Sequence, residues 1–297
     1  MRAVDFGTLL TAMVTPFDDD GNVSYDKVTQ LVEHLIKSKS EGIVVAGTTG
    51  ESPTLTLDEK LKLFEHVVNV AGGRVKVIAG TGNNNTKETI AFSKKVEALG
   101  VDALMLVAPY YSKPNQKGLY EHFKTIAENV TKEVMIYNIP GRSSVNVSAE
   151  TIIALSKIKN ITSVKEASGN LDQIATIIEG TDDDFYVYSG DDGLTLPILS
   201  VGGHGVISVA SHVIGEQMRE MIDLFKVGQN EKAAKIHLSI LPLMRELFKA
   251  PNPVPVKTLL NRQGIDVGSV RLPMVNLTET EEKELLDIAS KTLQPLA

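Results

Sequence analysis

The sequence predicts an α/β fold: a (β/α)8 TIM barrel followed by a C-terminal α-helical domain. Three observations lead there. Short apolar runs alternate with amphipathic segments along most of the chain. Eight such strand-then-helix units fit into about 228 residues, the count and size of a barrel. The strands are also mostly apolar on both sides, as parallel strands covered by helices should be. A doubly wound open sheet shares the alternation, but no strand here runs into a G-x-G-x-x-G turn.

The strand candidates, in order, are "GTLLTAMVTP", "GIVVAGTTGE", "KVIAGTG", "DALMLVAPYY", "EVMIYNIP", "ITSVKEASG", "DFYVYSGDD" and "HGVISVAS". In the first helical segment, Val28, Leu31, Val32, Leu35 and Ile36 fall on one stripe at helical spacing. Thr56 with Glu59, and Thr278 with Glu281, have the capping-box spacing of helix starts. Gly72-Gly73 and Gly100 sit where helix C-caps are expected. From about Asn230 the strands stop, and "NEKAAKIHLSILPLMRELFKA", "PVKTLLNRQG" and "TETEEKELLDIASKTLQ" all read as helices. Residues 1–228 are therefore expected to form the barrel with its active site, and residues 229–297 a helical domain reached through the Pro-rich turn "APNPVPV".

Composition narrows the function. With 42% hydrophobic and 23% charged residues the chain reads as an ordinary soluble globular protein, large enough to need no staples. It has no cysteine, which excludes a thiolate nucleophile, an iron–sulfur cluster and a cysteine-based zinc site. Thirty basic residues against 37 acidic give a net charge of −7, without the basic stripe of a nucleic-acid binder. The N-terminal segment lacks signal-peptide zones, and no apolar run approaches the roughly 20 residues of a membrane span. The expectation is a cytoplasmic protein acting on small molecules.

In a parallel barrel, chemistry gathers at the C-terminal ends of the strands. Hydroxyls, glycines, a lysine and an arginine collect there, without the His, Asp and Glu cluster of a metal site. Lys165, in "NITSVKEASG", ends an apolar strand. If it faces the barrel axis, Ser163 and Ala167 share its face and leave room for a ligand, while Glu166 points the other way. A lysine kept from water loses its proton more readily, and its neutral amine attacks ketones to form a Schiff base. A structural ion pair, or a side chain reaching the rim, accounts for its position equally well. The glycines at 47 and 50 in "VAGTTGES" permit a tight turn whose N–H groups, with the Thr48 and Thr49 hydroxyls, could hold a carboxylate. An ordinary polar turn is the alternative. Tyr137 suits proton transfer or burial, and Tyr110 and Tyr111 add two further phenols. Arg142 suits a bidentate carboxylate contact or the open surface. His204 precedes strand eight, at the face away from catalysis, and Asp18 to Asp20 and Asp182 to Asp184 read as solvated turns.

In this order and spacing "GTTGES", "YNIPGR", "VKEASG" and "SGDD" resemble the pyruvate-dependent class I aldolase family that includes N-acetylneuraminate lyase. Within it, the match is to the dihydrodipicolinate synthase (4-hydroxy-tetrahydrodipicolinate synthase) branch, and "GGHGVISV", "PNPVPVK" and "RLPM" extend it over essentially the whole chain. The resemblance implies a lyase of diaminopimelate and lysine biosynthesis that condenses pyruvate with L-aspartate 4-semialdehyde. It implies Lys165 as the Schiff-base residue and Tyr137, Thr48 and Tyr111 as a proton relay, with Tyr111 supplied by a neighbouring subunit. It further implies Thr48 and Thr49 on the pyruvate carboxylate, Arg142 on the carboxylate of the semialdehyde, and backbone carbonyls of Gly190 and Ile207 lining the site. No cofactor is expected, because the covalent bond is to the substrate; a homotetramer built as a dimer of dimers is expected.

Two alternatives remain beside this reading. One is a related aldolase for a 2-keto-3-deoxy sugar acid or sialic acid, against which Arg142 argues. The other is a binding protein that keeps the barrel, against which intact Lys165, Tyr137 and Thr48 argue. One segment departs from lysine-inhibited relatives. "SPTLTLDEK", starting at Ser52-Pro53, carries Leu57 and Lys60 where histidines are expected, although Asn84, Glu88 and Tyr110 remain. Lys60 would set like charge beside a bound lysine, so feedback is expected to be weak or absent.

Overall fold

The structure is a computed structural model and describes residues 4–293. Eight strands form where the apolar runs lie: β1 (Leu9–Ala12), β2 (Gly42–Val45), β3 (Lys76–Gly80), β4 (Ala103–Val107), β5 (Glu133–Asn138), β6 (Ile161–Glu166), β7 (Tyr186–Ser189) and β8 (Gly205–Ser208). They pair in sequence order, all parallel, and β8 returns to β1 through Leu9↔Val206, Leu10↔Ile207 and Thr11↔Ser208. The sheet is thus a closed barrel, and the open-sheet alternative is excluded.

Closure divides the apolar side chains by the two-residue period of a strand. Leu9, Ile43 and Val164 face outward into the layer beneath the helices. Leu10, Val44, Ile78, Met105, Tyr137 and Ile207 face inward and fill the barrel. Tyr188 fills the barrel too, and its hydroxyl donates to the Gly7 carbonyl at the lower end.

The helices begin and end where their chemistry directs. Tyr25–Lys37 buries Val28, Leu31, Val32 and Leu35, the stripe read from sequence. Leu57–Ala71 opens on a complete capping box from Thr56 and Glu59 and stops at Gly72, whose φ of 54° suits glycine. Gly100, with φ 89°, follows the helix Thr86–Glu97. Ser211–Lys226 completes the eighth unit, and three further helices follow: Asn230–Glu246, Val254–Arg262 and Glu279–Thr292. The first of these lies along Ser211–Lys226 and Glu279–Thr292, burying Ala233, Ile236, Ile240, Leu243 and Met244. Those side chains join the same apolar layer that covers the outside of the barrel. Among the described residues no helix is long and apolar enough to cross a membrane.

Candidate active site

Strand register brings the central pair together. Tyr137 on β5 is the partner of Lys165 on β6, which in turn is the partner of Tyr188 on β7. Parallel partners point to the same face, so all three side chains enter the barrel. The Lys165 Nζ lies 4.4 Å from the Tyr137 ring centroid, over its negative face. Lys165 is 5% exposed and its ammonium makes no hydrogen bond among the described residues. Burial pulls its pKa down to about 8; the Asp192 carboxylate opposes this and the Arg142 charge adds to it. Below it, Ser163 is buried and its hydroxyl has no partner among the described residues. Above it, Ala167 packs on the inner cluster. Glu166 points outward, where Asn138, Ser168 and Gln173 hold its carboxylate, so it is no partner for Lys165.

The next turn up the barrel is equally constrained. A Cβ on Gly190 would lie 2.7 Å from the Ala167 Cβ and 3.2 Å from the Lys165 Cε, so only glycine fits beside the amine. Asp192, just beyond, is 2% exposed. Its Oδ2 accepts the Val209 and Ala210 N–H groups, and the Ser208 side chain also favours its charged form. Burial raises its pKa. The sequence offered no sign of Asp192's burial, because an acid in a strand-end turn reads as solvated.

Opposite stands the turn from Gly47 to Glu51. A Cβ on Gly50 would come within 3.2 Å of the Ala46 backbone, so the chain closes tightly there. The Thr15 hydroxyl donates to the Gly50 carbonyl at 2.6 Å. The N–H groups of Thr48 and Thr49 take no protein acceptor among the described residues, and they lie beside the two hydroxyls. Burial pushes the Tyr137 pKa up to about 12, and the Thr48 side chain beside the phenol opposes that rise. A phenol that stays neutral, coupled to a threonine and set beside an amine, is a path for one proton.

The remaining residues surround this centre. Arg142 is exposed in the short helix Pro140–Ser143, and its charge is felt by both Lys165 and Tyr137. Ile207 is buried on β8 among the inward side chains. Tyr111 is not brought to the site within its own chain. It stands 90% exposed at φ 70°, in a turn where the Ser112 N–H donates to the Tyr110 carbonyl. His204 lies at the lower end of β8, paired with Asp5 and stacked on Tyr186, away from Lys165.

A model of the dihydrodipicolinate synthetase family matches residues 5–292, nearly the whole described chain. The chain belongs to the dihydrodipicolinate synthetase family. A 4-hydroxy-tetrahydrodipicolinate synthase of Halalkalibacterium halodurans is 59% identical to it, over 95% of this chain and 96% of that protein. The one of Bacillus subtilis is 56% identical, over 97% of this chain and 100% of the relative. Among crystal structures, a dihydrodipicolinate synthase of Bacillus anthracis superposes with a TM-score of 0.95 at 55% identity, covering 97% of this chain and 98% of the other. The lysine-bound enzyme of Cyanidioschyzon merolae also reaches 0.95, at 46% identity and the same coverage.

In this member of the dihydrodipicolinate synthetase family, the segment from Ser52 to Lys60 has a definite shape. Ser52 and Pro53 lie in a short 3-10 turn and Leu57 is 58% exposed. Lys60 turns back over Phe92, 6.0 Å from the ring centroid, and burial lowers its pKa. Asn84 donates to the carbonyl of Tyr110, and Glu88 sits in the first turn of Thr86–Glu97.

A second buried lysine was not legible in the sequence. Lys257 is 2% exposed, and its ammonium meets Glu51 Oε1 at 3.0 Å and the carbonyls of Thr15 and Ser269. Glu51 accepts the Arg271 N–H on its other oxygen. Asn252 was equally unmarked, yet its side-chain amide donates to Thr49 Oγ1 at 2.9 Å.

Proposed function

We propose that the chain condenses pyruvate with L-aspartate 4-semialdehyde to give 4-hydroxy-tetrahydrodipicolinate, through a Schiff base on Lys165. The observation that carries the mechanism is the state of that lysine: buried on the barrel axis, with a depressed pKa and no hydrogen bond to give up. Relatives of this name, 56–59% identical over nearly the full chain, support the substrates.

In the neutral state the Lys165 amine attacks C2 of pyruvate. The carbinolamine then loses the keto oxygen as water, leaving an iminium. Tyr137 and Thr48 pass the protons of these steps, a role supported by the influence of the Thr48 side chain on the buried phenol. Loss of a C3 proton turns the iminium into an enamine, whose C3 attacks the aldehyde carbon of the semialdehyde. The amine of the semialdehyde then displaces Lys165 from C2, closing the ring and restoring the enzyme. The Thr48–Thr49 turn binds the pyruvate carboxylate, Arg142 receives that of the semialdehyde, and the carbonyls of Gly190 and Ile207 line the pocket. No cofactor takes part. The 2-keto-3-deoxy sugar-acid or sialic-acid alternative is not favoured, since a second substrate with a carboxylate needs the cation that Arg142 supplies.

Tyr111 completes the relay from a neighbouring subunit. Its strained φ and outward projection support a role beyond its own chain. The assembly that follows is a homotetramer, a dimer of dimers, working in the cytoplasm. In the same reading residues 1–228 carry the site and 229–297 form the helical domain.

Borohydride reduction in the presence of pyruvate tests the mechanism. A pyruvate-derived adduct on Lys165, absent from Lys165→Ala, is the expected result; the same labelling in both proteins rejects the mechanism. Turnover with aspartate semialdehyde against sugar aldehydes decides the second substrate.

A further inference from the structure

Thr49 is held from a direction that its own strand does not supply. Its Oγ1 receives a hydrogen bond from the Asn252 side-chain amide at 2.9 Å, across 203 residues of sequence. The two residues are 3% and 4% exposed. Asn252 lies between the helices Asn230–Glu246 and Val254–Arg262. The same connection leads to Lys257, whose ammonium grips Glu51 two residues beyond Thr49. Helices outside the barrel therefore hold the turn at two points.

The sense of the Asn252 bond matters. A hydroxyl has one proton to donate and two lone pairs with which to accept. When the amide N–H donates into Thr49 Oγ1, one lone pair is filled and the proton remains to be given elsewhere. Among the described residues Thr49 Oγ1 donates to no acceptor. The Asn252 Oδ1, which could have taken that proton, is instead buried and unpartnered.

We infer that Asn252 is a positioning residue for the keto-acid site: by donating to Thr49 it commits the Thr49 hydroxyl proton to the substrate carboxylate. The inference rests on the proposed function, because it takes the turn to be the carboxylate site. Asn252 does not touch the reacting atoms. It sets the polarity of a group that does.

Asn252→Asp tests this with almost no change of shape. The new carboxylate accepts the Thr49 proton and sets negative charge behind the turn. Pyruvate KM should rise about tenfold to a hundredfold, the worth of one hydrogen bond to a charged group. kcat and the KM for the semialdehyde should change little. The defect should shrink at acidic pH, where the introduced carboxyl is protonated. In a Thr49→Val background Asn252→Asp should add much less, since both act through one hydroxyl. A merely structural role predicts instead additive effects, a fall in kcat and no pH dependence, and any of these overturns the inference. If Asn252→Asp does not fold, Asn252→Ala replaces it. That variant frees the Thr49 hydroxyl to turn, so pyruvate KM should rise severalfold, without pH dependence and with kcat kept; an unchanged KM overturns the inference. Borohydride labelling of wild-type Lys165 is run alongside. Failure of that control rejects the proposed function, whereas normal labelling with an unchanged KM in the variant rejects only the role of Asn252.

Discussion

The amine of Lys165 attacks only when neutral, so kcat/KM for pyruvate should follow its titration in the free enzyme. Burial brings the pKa from 10.5 to about 8. At pH 7 about one molecule in ten then carries a neutral amine, against about one in 3,000 for an ordinary lysine, a gain of roughly 300-fold. With saturating semialdehyde, kcat/KM should climb about tenfold per unit below pH 7, reach half its limit near pH 8 and level off. Tyr137, near 12, keeps any descending limb above the working range. The neighbouring charges make the assignment specific. Asp192 raises the Lys165 pKa and Arg142 lowers it. Asp192→Asn should therefore move the midpoint to lower pH and Arg142→Gln to higher pH. A profile flat from pH 6 to 10, one still climbing through pH 10, or two variants shifting in the same direction would refute the reasoning.

Three further outcomes follow from the same contacts. Lys165→Met should be inactive yet more stable at pH 7 by about 3 kcal/mol, the cost of burying an amine whose pKa falls from 10.5 to about 8. The native pKa lies below the unfolded one, so the penalty on the wild type is full below pH 8 and gone above 10.5; urea melts at pH 7 and pH 10.5 should show the advantage fading. Lys257→Met strands the Glu51 carboxylate in the interior and should cost about 3–5 kcal/mol in denaturant unfolding, with Glu51→Gln in the same chain restoring part of it. L-lysine at sub-millimolar concentration should leave the activity unchanged, given Leu57 and the ammonium of Lys60 beside the segment; strong inhibition there would overturn that expectation.

The barrel was legible because each strand must be apolar on both faces, and because its helices announce their ends, as with Thr56 and Gly72; Thr278 does the same for the last C-terminal helix. Lys165 stood out for a related reason, since a charge in such a strand has no solvent side to turn to, but its place alone left a structural ion pair as open as catalysis. The hydroxyls, glycines and Arg142 stood out as candidates from their place after strand ends, where an ordinary turn, a buried phenol or a surface arginine fits as well; only the resemblance assigns them roles. What the sequence concealed depends on contacts between distant segments. Asn252 acquires its partner 203 residues away, and Asp192 finds its partners in the Val209 and Ala210 N–H groups that follow β8. Lys257 follows "NPVPV" on a helix, where a lysine normally finds water; packing against Thr15 and Ser269 closes that exit.

The two buried lysines show why a depressed pKa alone does not mark a nucleophile. Burial brings both to about 8. Lys257 spends all three protons, on Glu51 and the carbonyls of Thr15 and Ser269, and its charge also faces the Phe17 ring at 4.2 Å. Losing a proton there breaks a buried hydrogen bond and leaves Glu51 without its counter-charge, and an attacking lone pair would have to leave this cage. Lys165 has no such bond to break among the described residues: its neutral form gains a lone pair beside Gly190, whose missing side chain leaves the amine uncrowded. Reductive trapping with pyruvate at pH 9, where titration alone would free both amines, should therefore place the adduct on Lys165 only. A peptide map with comparable adduct on Lys257 would show that the loss of a proton, and not the emptiness of the hydrogen-bonding shell, decides which lysine reacts.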